Sequence, residues 1–184
     1  MDFEDILPGI LEEIASLMPQ NLNESIDVAV SEILMAERLF LFGMGRTGLI
    51  MKAFAMRLMH LGMKVHFVGD VTTPSIRVGD LFLVGTASGE TPSIIHSCNR
   101  SRKAGSRILS LTGTEESTVT SLSDRVVHIG IKGKKSREKV NSLQPMGNGF
   151  QQALLILTDM IIIDLKEKMG ISTREMFYNH TNLE

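Results

Sequence analysis

The chain has 184 residues, of which 43% are hydrophobic, 22% are charged and only 5% are aromatic. This composition is typical of one ordinary globular domain, whose core is large enough to be stable without disulfides or a metal. The formal net charge of -2 excludes the strongly basic footprint of a nucleic-acid-binding protein. The single cysteine, Cys98, cannot form an internal disulfide, which favours a reducing compartment such as the cytoplasm.

Targeting and membrane-spanning segments are not expected. The first eight residues carry three acidic side chains, whereas a secretory signal begins with positive charge. The longest apolar stretch, residues 153–163, is interrupted by Thr158 and Asp159 and is shorter than the ~20 residues of a membrane span. We therefore expect a buried core helix there and no membrane partner.

Helical and strand-like patterns alternate along the chain. Apolar positions at helical spacing predict helices, and short apolar runs, often β-branched, predict strands. The helices are expected at residues 9–18, 24–36, 47–61, 91–104, 148–168 and 174–178, the strands at 38–42, 64–68, 81–85, 107–111 and 125–129, and a turn-rich link at 72–80. This alternation favours an α/β fold, with a five-stranded parallel sheet flanked by helices on both faces.

The domain organisation follows from the same pattern. We expect a single domain over residues 1–184, with N-terminal helices at about 4–36, an α/β core at about 38–130 and C-terminal helices at about 148–180. A basic segment at 132–139 carries five Lys or Arg residues. It is interpreted as a solvated loop, with a basic lid that attracts an anionic substrate as the alternative.

A glycine-rich loop follows the first predicted strand. Residues 43–48 read GMGRTG and match the pattern G-x-G-x-x-G. Glycines at a strand-to-helix turn allow close approach of a ligand, and free N–H groups at the helix start favour an anion. Asp70 lies near the end of the second predicted strand, where a nicotinamide or flavin enzyme has an acid. A dinucleotide-dependent enzyme and a phosphate-binding protein therefore both fit this loop, although little chain remains for a separate substrate domain.

A second candidate anion loop follows the third predicted strand. Residues 85–92 read GTASGETP, with hydroxyls at Thr86, Ser88 and Thr91. These hydroxyls and the N–H groups at the next helix start would hold a phosphate monoester without a metal. The alternative is a capped helix, but one cap needs one hydroxyl rather than three.

The two loops together resemble the sugar-isomerase (SIS) domain family, and other segments resemble its 6-phospho-3-hexuloisomerase branch. These segments are residues 54–62 (FAMRLMHLG), 144–147 (QPMG) and 176–184 (MFYNHTNLE). The similarity covers nearly the whole chain from about residue 38 onward. That breadth makes it far more specific than either glycine loop.

The resemblance implies a SIS-type, flavodoxin-like three-layer sandwich, commonly assembled as a homotetramer whose active sites lie near subunit contacts. It also implies interconversion of 3-hexulose 6-phosphate and fructose 6-phosphate, in the ribulose monophosphate pathway of carbohydrate metabolism. A base removes a proton beside the carbonyl, and the enediol is reprotonated on the adjacent carbon. This chemistry needs no cofactor.

The resemblance also assigns candidate site residues. Arg46 and Thr47 should contact the substrate, and His180 is a candidate for handling the ring oxygen or shuttling protons at neutral pH. The implied phosphate cradle consists of Thr86, Ala87, Ser88, Gly89, Glu90 and Thr91. No metal ligand set is expected, because the histidines lack partners at a recognised metal spacing.

One catalytic position departs from the family. Gln151 stands where the family has the glutamate presumed to be the general base, and its amide cannot accept a proton. Loss of such a base costs about 10² to 10⁴ in rate. The protein therefore uses another base, with Glu90 and His180 as possible substitutes, or it is a poor isomerase, or it senses a phosphosugar without reacting it. Asn148 and Gly149 also differ from the family's usual residues.

Overall fold

The computed structural model describes residues 3–130 and 142–183. The helices are α1 (Phe3–Ser16), α2 (Leu22–Leu34), α3 (Gly45–His60), α4 (Pro92–Lys103), α5 (Thr118–Leu122), α6 (Asn148–Lys168) and α7 (Thr173–Tyr178), and the strands are β1 (Leu39–Gly43), β2 (Val65–Phe67), β3 (Leu81–Thr86), β4 (Arg107–Thr112) and β5 (Arg125–His128). A single 3₁₀ turn, Pro145–Gly147, precedes α6. The basic segment at 132–139 lies outside the described residues.

The five strands form one parallel sheet in the order β2-β1-β3-β4-β5. The expected five-stranded parallel sheet is therefore confirmed. Strand β2 pairs with one side of β1. The chain then crosses to the other side of β1, where β3, β4 and β5 follow in order. The direction reverses between β1 and β3, and in such sheets ligands bind beside the carboxyl ends of the strands at this switch point. The two candidate anion loops follow β1 and β3.

The sheet lies between two layers of helices. Alternate strand residues point to opposite faces, so Leu41 and Leu83 join the core formed with α1, α2, α3 and α6. Phe40 and Phe82 join the smaller core on the α4 and α5 side. This arrangement is the three-layer sandwich that the family resemblance implies.

Two helices differ from the sequence-based expectation. Helix α1 begins at Phe3, close to the expected start of the N-terminal helices at about residue 4 but well before the helical pattern at 9–18, and it continues through Pro8. Helix α5 was not predicted, because its five residues are too few to show a helical period. Its signal is local. The Ser117 hydroxyl caps the helix by accepting a hydrogen bond from the Thr120 N–H, and the Thr120 hydroxyl accepts one from the Ser117 N–H.

The long C-terminal helix α6 is a core helix, as expected. Its buried side chains include Phe150, Leu157 and Ile161, and it packs against α1, α2 and α3. By length and composition alone, residues 145–168 could also cross a membrane, with 44% of the most apolar window buried in the structure. Core helices of globular proteins meet the same criterion, and the packing of α6 inside the fold accounts for its apolar character.

A buried ion pair joins the starts of β1 and β3. The Asp80 carboxylate is fully buried and accepts bonds from Arg38 Nε at 2.9 Å and Arg38 Nη2 at 2.6 Å. The Arg77 N–H also donates to it, at 2.8 Å. Burial alone would raise the pKa of the Asp80 carboxyl, but these hydrogen bonds and the Arg38 charge hold that pKa below its ordinary value.

We expect Asp80→Asn to lower the free energy of unfolding by about 3 kcal/mol at neutral pH, because Arg38 loses its counter-charge. The wild-type carboxyl has a lower pKa folded than unfolded, so its contribution is present above about pH 4 and declines as the pH falls further. Urea unfolding of both proteins between pH 7 and pH 3 measures this. Exposed Asp159→Asn is the control, expected to change stability by less than about 0.5 kcal/mol. The prediction is wrong if the difference in free energy of unfolding between Asp80→Asn and the wild type stays constant below pH 4.

Candidate active site at the carboxyl edge of the sheet

The loop after β1 depends on a close approach between backbone segments. A β-carbon at Gly48 would lie 2.5 Å from the Gly43 carbonyl oxygen, so only glycine fits there. Gly45 has a φ of +57°, which also favours glycine. The first turn of α3 therefore lies directly against the end of β1, and its N–H groups are directed toward the carboxyl edge of the sheet.

Thr47 connects this loop to the end of β3. Its side chain is buried, and a β-carbon at Gly85 would lie 3.2 Å from Thr47 Cγ2 and 2.7 Å from Met51 Sδ. Gly85 is the first residue of the second loop. The two glycine loops predicted from the sequence are thus neighbours across the switch point.

The second loop is shaped by its own hydroxyl groups. Thr86 Oγ1 accepts a bond from the Gly89 N–H at 3.1 Å, and Ser88 Oγ accepts one from the Glu90 N–H at 3.3 Å. Because each oxygen is the acceptor, the hydroxyl hydrogen can still be donated to a ligand. Thr91 stands at the N-cap of α4, yet within the part of the chain described its side chain makes no capping bond. The capped-helix alternative therefore does not account for Thr91.

Glu90 anchors this loop to α5. One carboxylate oxygen accepts from the Thr118 N–H at 2.7 Å and the other from the Thr118 hydroxyl at 2.8 Å. The Thr118 N–H bond, and then the hydroxyl bond, lower the pKa of Glu90. Glu90 is thus held ionised, and both of its carboxylate oxygens are bonded to the first residue of α5. This arrangement suits a residue that holds the loop in place better than it suits a general base.

The start of α6 reaches the same edge of the sheet. Arg46 donates a hydrogen bond to Asn148 Oδ1 across the gap between the first turns of α3 and α6. Gln151 follows Asn148 by three positions, so it lies one turn along the same face of α6. Its Oε1 atom is buried and has no hydrogen-bond partner among residues 3–130 and 142–183. The Arg46–Asn148 contact was not predicted from the sequence, where Asn148 stood out only as a departure from the family.

His180 lies elsewhere in the chain's own structure. The Asn179 side chain donates to the His60 carbonyl oxygen at 3.0 Å, and the His60 and His180 rings stack at 5.2 Å. His60 ends α3, thirteen residues from Thr47, which corresponds to about 20 Å along the helix. Burial, and then the nearby charges of Arg57 and His180, lower the pKa of His60. Within one chain, His180 therefore lies far from both loops.

Asp70 was the residue that motivated a dinucleotide site. It follows the edge strand β2, and its exposed carboxylate is 3.4 Å from the Lys52 ammonium group. Asp70 and Lys52 thus form an exposed ion pair beside the edge strand. Across the two described ranges of the chain, no group of three His, Cys, Asp or Glu side chains is placed to hold a metal ion.

Comparison with known proteins decides the family. The SIS domain model matches residues 32–160. The chain belongs to the SIS-domain family. It is 38% identical to a 3-hexulose-6-phosphate isomerase of Bacillus subtilis, over 100% of both chains. It is 35% identical to a protein of the same name from Mycobacterium gastri, covering 100% of this chain and 92% of the relative.

A solved structure agrees with this assignment. A hypothetical protein from Methanococcus jannaschii, whose crystal structure infers a function of 3-hexulose-6-phosphate isomerase, superimposes with a TM-score of 0.84 at 29% identity. The match covers 98% of this chain and 99% of that one. Membership of the SIS-domain family explains both glycine loops together, and the dinucleotide alternative is not favoured.

We expect Gly48→Ala to lower the free energy of unfolding by about 2 kcal/mol, because the new methyl group would meet the Gly43 backbone, which cannot move aside. Gly170→Ala is a control without a steric clash, since a β-carbon added there would have no atom within 4 Å, although its φ of +65° adds backbone strain that Gly48 does not have. Its expected cost is about 1 kcal/mol, from backbone strain alone. Urea unfolding compares the two, and a Gly48→Ala cost no larger than the control would contradict the close approach.

Proposed function

We propose that this SIS-domain protein is an isomerase that interconverts 3-hexulose 6-phosphate and fructose 6-phosphate without a cofactor. The observation that carries the proposal is the meeting of two anion loops at the switch point, with Arg46 at their rim. The full-length similarity to proteins named as 3-hexulose-6-phosphate isomerases supports this substrate. We further propose that residues 1–184 act as one domain, because α1 and α2 pack against α6.

The phosphate would be held at the second loop. The hydroxyls of Ser88 and Thr91 and the Ser93 N–H at the start of α4 can converge on one anion. The buried hydroxyl of Thr86 shapes the turn, together with Ala87 and Gly89. The sugar would then extend toward the start of α3, where Thr47 lines the loop and the Arg46 guanidinium can stabilise negative charge on the enediol oxygens.

The reaction transfers one proton between neighbouring carbons. A base takes the proton from C2 of 3-hexulose 6-phosphate, and the C2–C3 enediol forms as the carbonyl oxygen on C3 gains a proton. Return of a proton to C3 and loss of the O2 proton leave the carbonyl on C2, which is fructose 6-phosphate. Every atom and electron pair is conserved, so no oxidant or reductant takes part.

The base cannot be Gln151, and Glu90 is occupied by Thr118. We propose that His180 moves the proton and that Gln151 hydrogen-bonds a sugar hydroxyl. An imidazole can both accept and donate a proton, which suits proton transfer in both directions. Because His180 lies about 20 Å from the loops of its own chain, a second copy would supply it.

The surface of α3 and α6 supports an assembly of this kind. Leu49 and Met56 are seven positions apart on α3 and are exposed, as are Ile156 and Ile163 on α6. Spacing of seven places each pair on one helix face. Apolar faces of this kind are typical of subunit contacts. We propose a homo-oligomer, with the tetramer of the family as the expected state, in the cytoplasm, where the buried Cys98 thiol would stay reduced.

A coupled assay of fructose 6-phosphate formation from enzymatically generated 3-hexulose 6-phosphate tests the function. We expect slow turnover above background by the chain as it stands, and a rise of about 10² or more in Gln151→Glu, which restores a carboxylate base. Glu90→Gln should keep most of the activity, since an amide can still bond Thr118. Turnover only in Gln151→Glu would favour phosphosugar sensing without catalysis, and no turnover in either protein would contradict the proposal.

Mixing two inactive variants tests the origin of His180. Arg46→Ala and His180→Ala each remove one part of the site, and random reassembly at equal amounts should restore up to about a quarter of wild-type activity if neighbouring subunits share sites. The control is each variant reassembled with itself, which should stay inactive. A mixture with no more activity than these controls would show that His180 does not complete a neighbour's site.

A further inference from the structure

Helix α1 lies outside the residues matched by the SIS domain model, which begin at 32. It nevertheless carries a buried carboxylate, since Glu13 is only 6% exposed. A buried carboxylate is costly unless hydrogen bonds compensate for its lost hydration. Neither the sequence motifs nor the proposed reaction uses this residue, so its role is decided by the groups that bond to it.

Glu13 holds the segment that leads into α6. Its Oε1 atom accepts a bond from the Ser142 hydroxyl at 2.6 Å, and its Oε2 atom accepts one from the Leu143 N–H at 3.1 Å. Ser142 in turn accepts from the Gln144 N–H at 3.0 Å. One side chain of α1 thus fixes three consecutive residues immediately before the 3₁₀ turn and the start of α6.

Gly149 brings α6 itself against the same carboxylate. A β-carbon at Gly149 would lie 3.0 Å from Glu13 Oε1 and 2.8 Å from Leu17 Cδ1. The absence of a side chain at this position allows α1 to approach the first turn of α6. The neighbouring residue, Asn148, accepts the hydrogen bond from Arg46. Glu13 is therefore connected to the active-site edge through a continuous series of contacts.

We propose that Glu13 is a positioning residue of the active site. It sets the first turn of α6, so that Asn148 meets Arg46 and Gln151 faces the sugar. This inference rests on the proposed function for its catalytic readout. It assigns a functional part to α1, outside the matched family domain, without giving Glu13 any contact with the substrate.

Three variants separate this role from general stability. Glu13→Ala removes both acceptors, and a small displacement of the site should lower kcat/KM by about tenfold to 10². Glu13→Gln keeps an acceptor for the Leu143 N–H and can donate to the Ser142 oxygen, so it should stay within about threefold of wild type. Glu12→Ala, at the exposed neighbouring position on the same helix, should leave the activity unchanged.

A double-mutant cycle with Asn148→Ala tests whether Glu13 acts through α6. If it does, the double variant should have a kcat/KM within about twofold of that of Glu13→Ala alone, because the contact between Asn148 and Arg46 is already disturbed in Glu13→Ala. Gly149→Ala should impair Glu13→Ala less than it impairs the wild type, because the carboxylate is gone and only the Leu17 side chain still has to move. The inference is overturned if the losses in kcat/KM of the two single variants multiply in the double variant. It is also overturned if Glu13→Ala is as active as Glu12→Ala.

Hydrogen exchange provides a readout that does not depend on the substrate. Amide protection over residues 143–151 should fall in Glu13→Ala and persist in Glu13→Gln and Glu12→Ala. If the wild type shows no isomerase activity, the proposed function fails while this measurement still tests the role of Glu13. Unchanged protection in Glu13→Ala would overturn the inference whatever the activity of the wild type.

Discussion

The site depends on how closely the first turn of α3 approaches the ends of β1 and β3. Gly48 allows the helix backbone to reach the Gly43 carbonyl, and Gly85 leaves room for the Thr47 methyl group. Any larger residue at these glycines would push the helix away from the sheet. Because the strand order reverses between β1 and β3, this contact also places the two loops side by side. The proposed phosphate cradle and Arg46 therefore lie at one edge of the sheet.

The chemistry at that edge differs from the arrangement expected of the family. By the family resemblance, an amide, Gln151, stands where a base is expected, and both carboxylate oxygens of Glu90 are bonded to Thr118. His180 is held at the far end of α3 by the stacked ring of His60 and by Asn179. The proposed binding groups and the candidate proton carrier thus lie at opposite ends of one helix, so the proposed catalysis would require an oligomer.

The sequence predicted the sheet and both loops because their signals are local. Apolar strands, glycines and hydroxyl residues are recognisable within a few positions. The Arg46–Asn148 contact joins residues 102 positions apart, and Glu13 reaches Ser142 across 129 positions. No local pattern encodes such pairs, so only the folded chain reveals them. The position of His180 was similarly hidden, since its family motif specifies a residue type and not a location relative to the loops.

We propose that the loop after β3 holds the phosphate of the substrate and that the sugar lies against the loop after β1. A crystal structure of the chain with bound fructose 6-phosphate tests it most directly. We expect phosphate oxygens within about 3 Å of the Ser88 and Thr91 hydroxyls, at ordinary hydrogen-bond distance, and the sugar directed toward Arg46. A phosphate bound elsewhere, such as in the cleft of about 360 Å³ beside Glu115 and His128, would contradict the account.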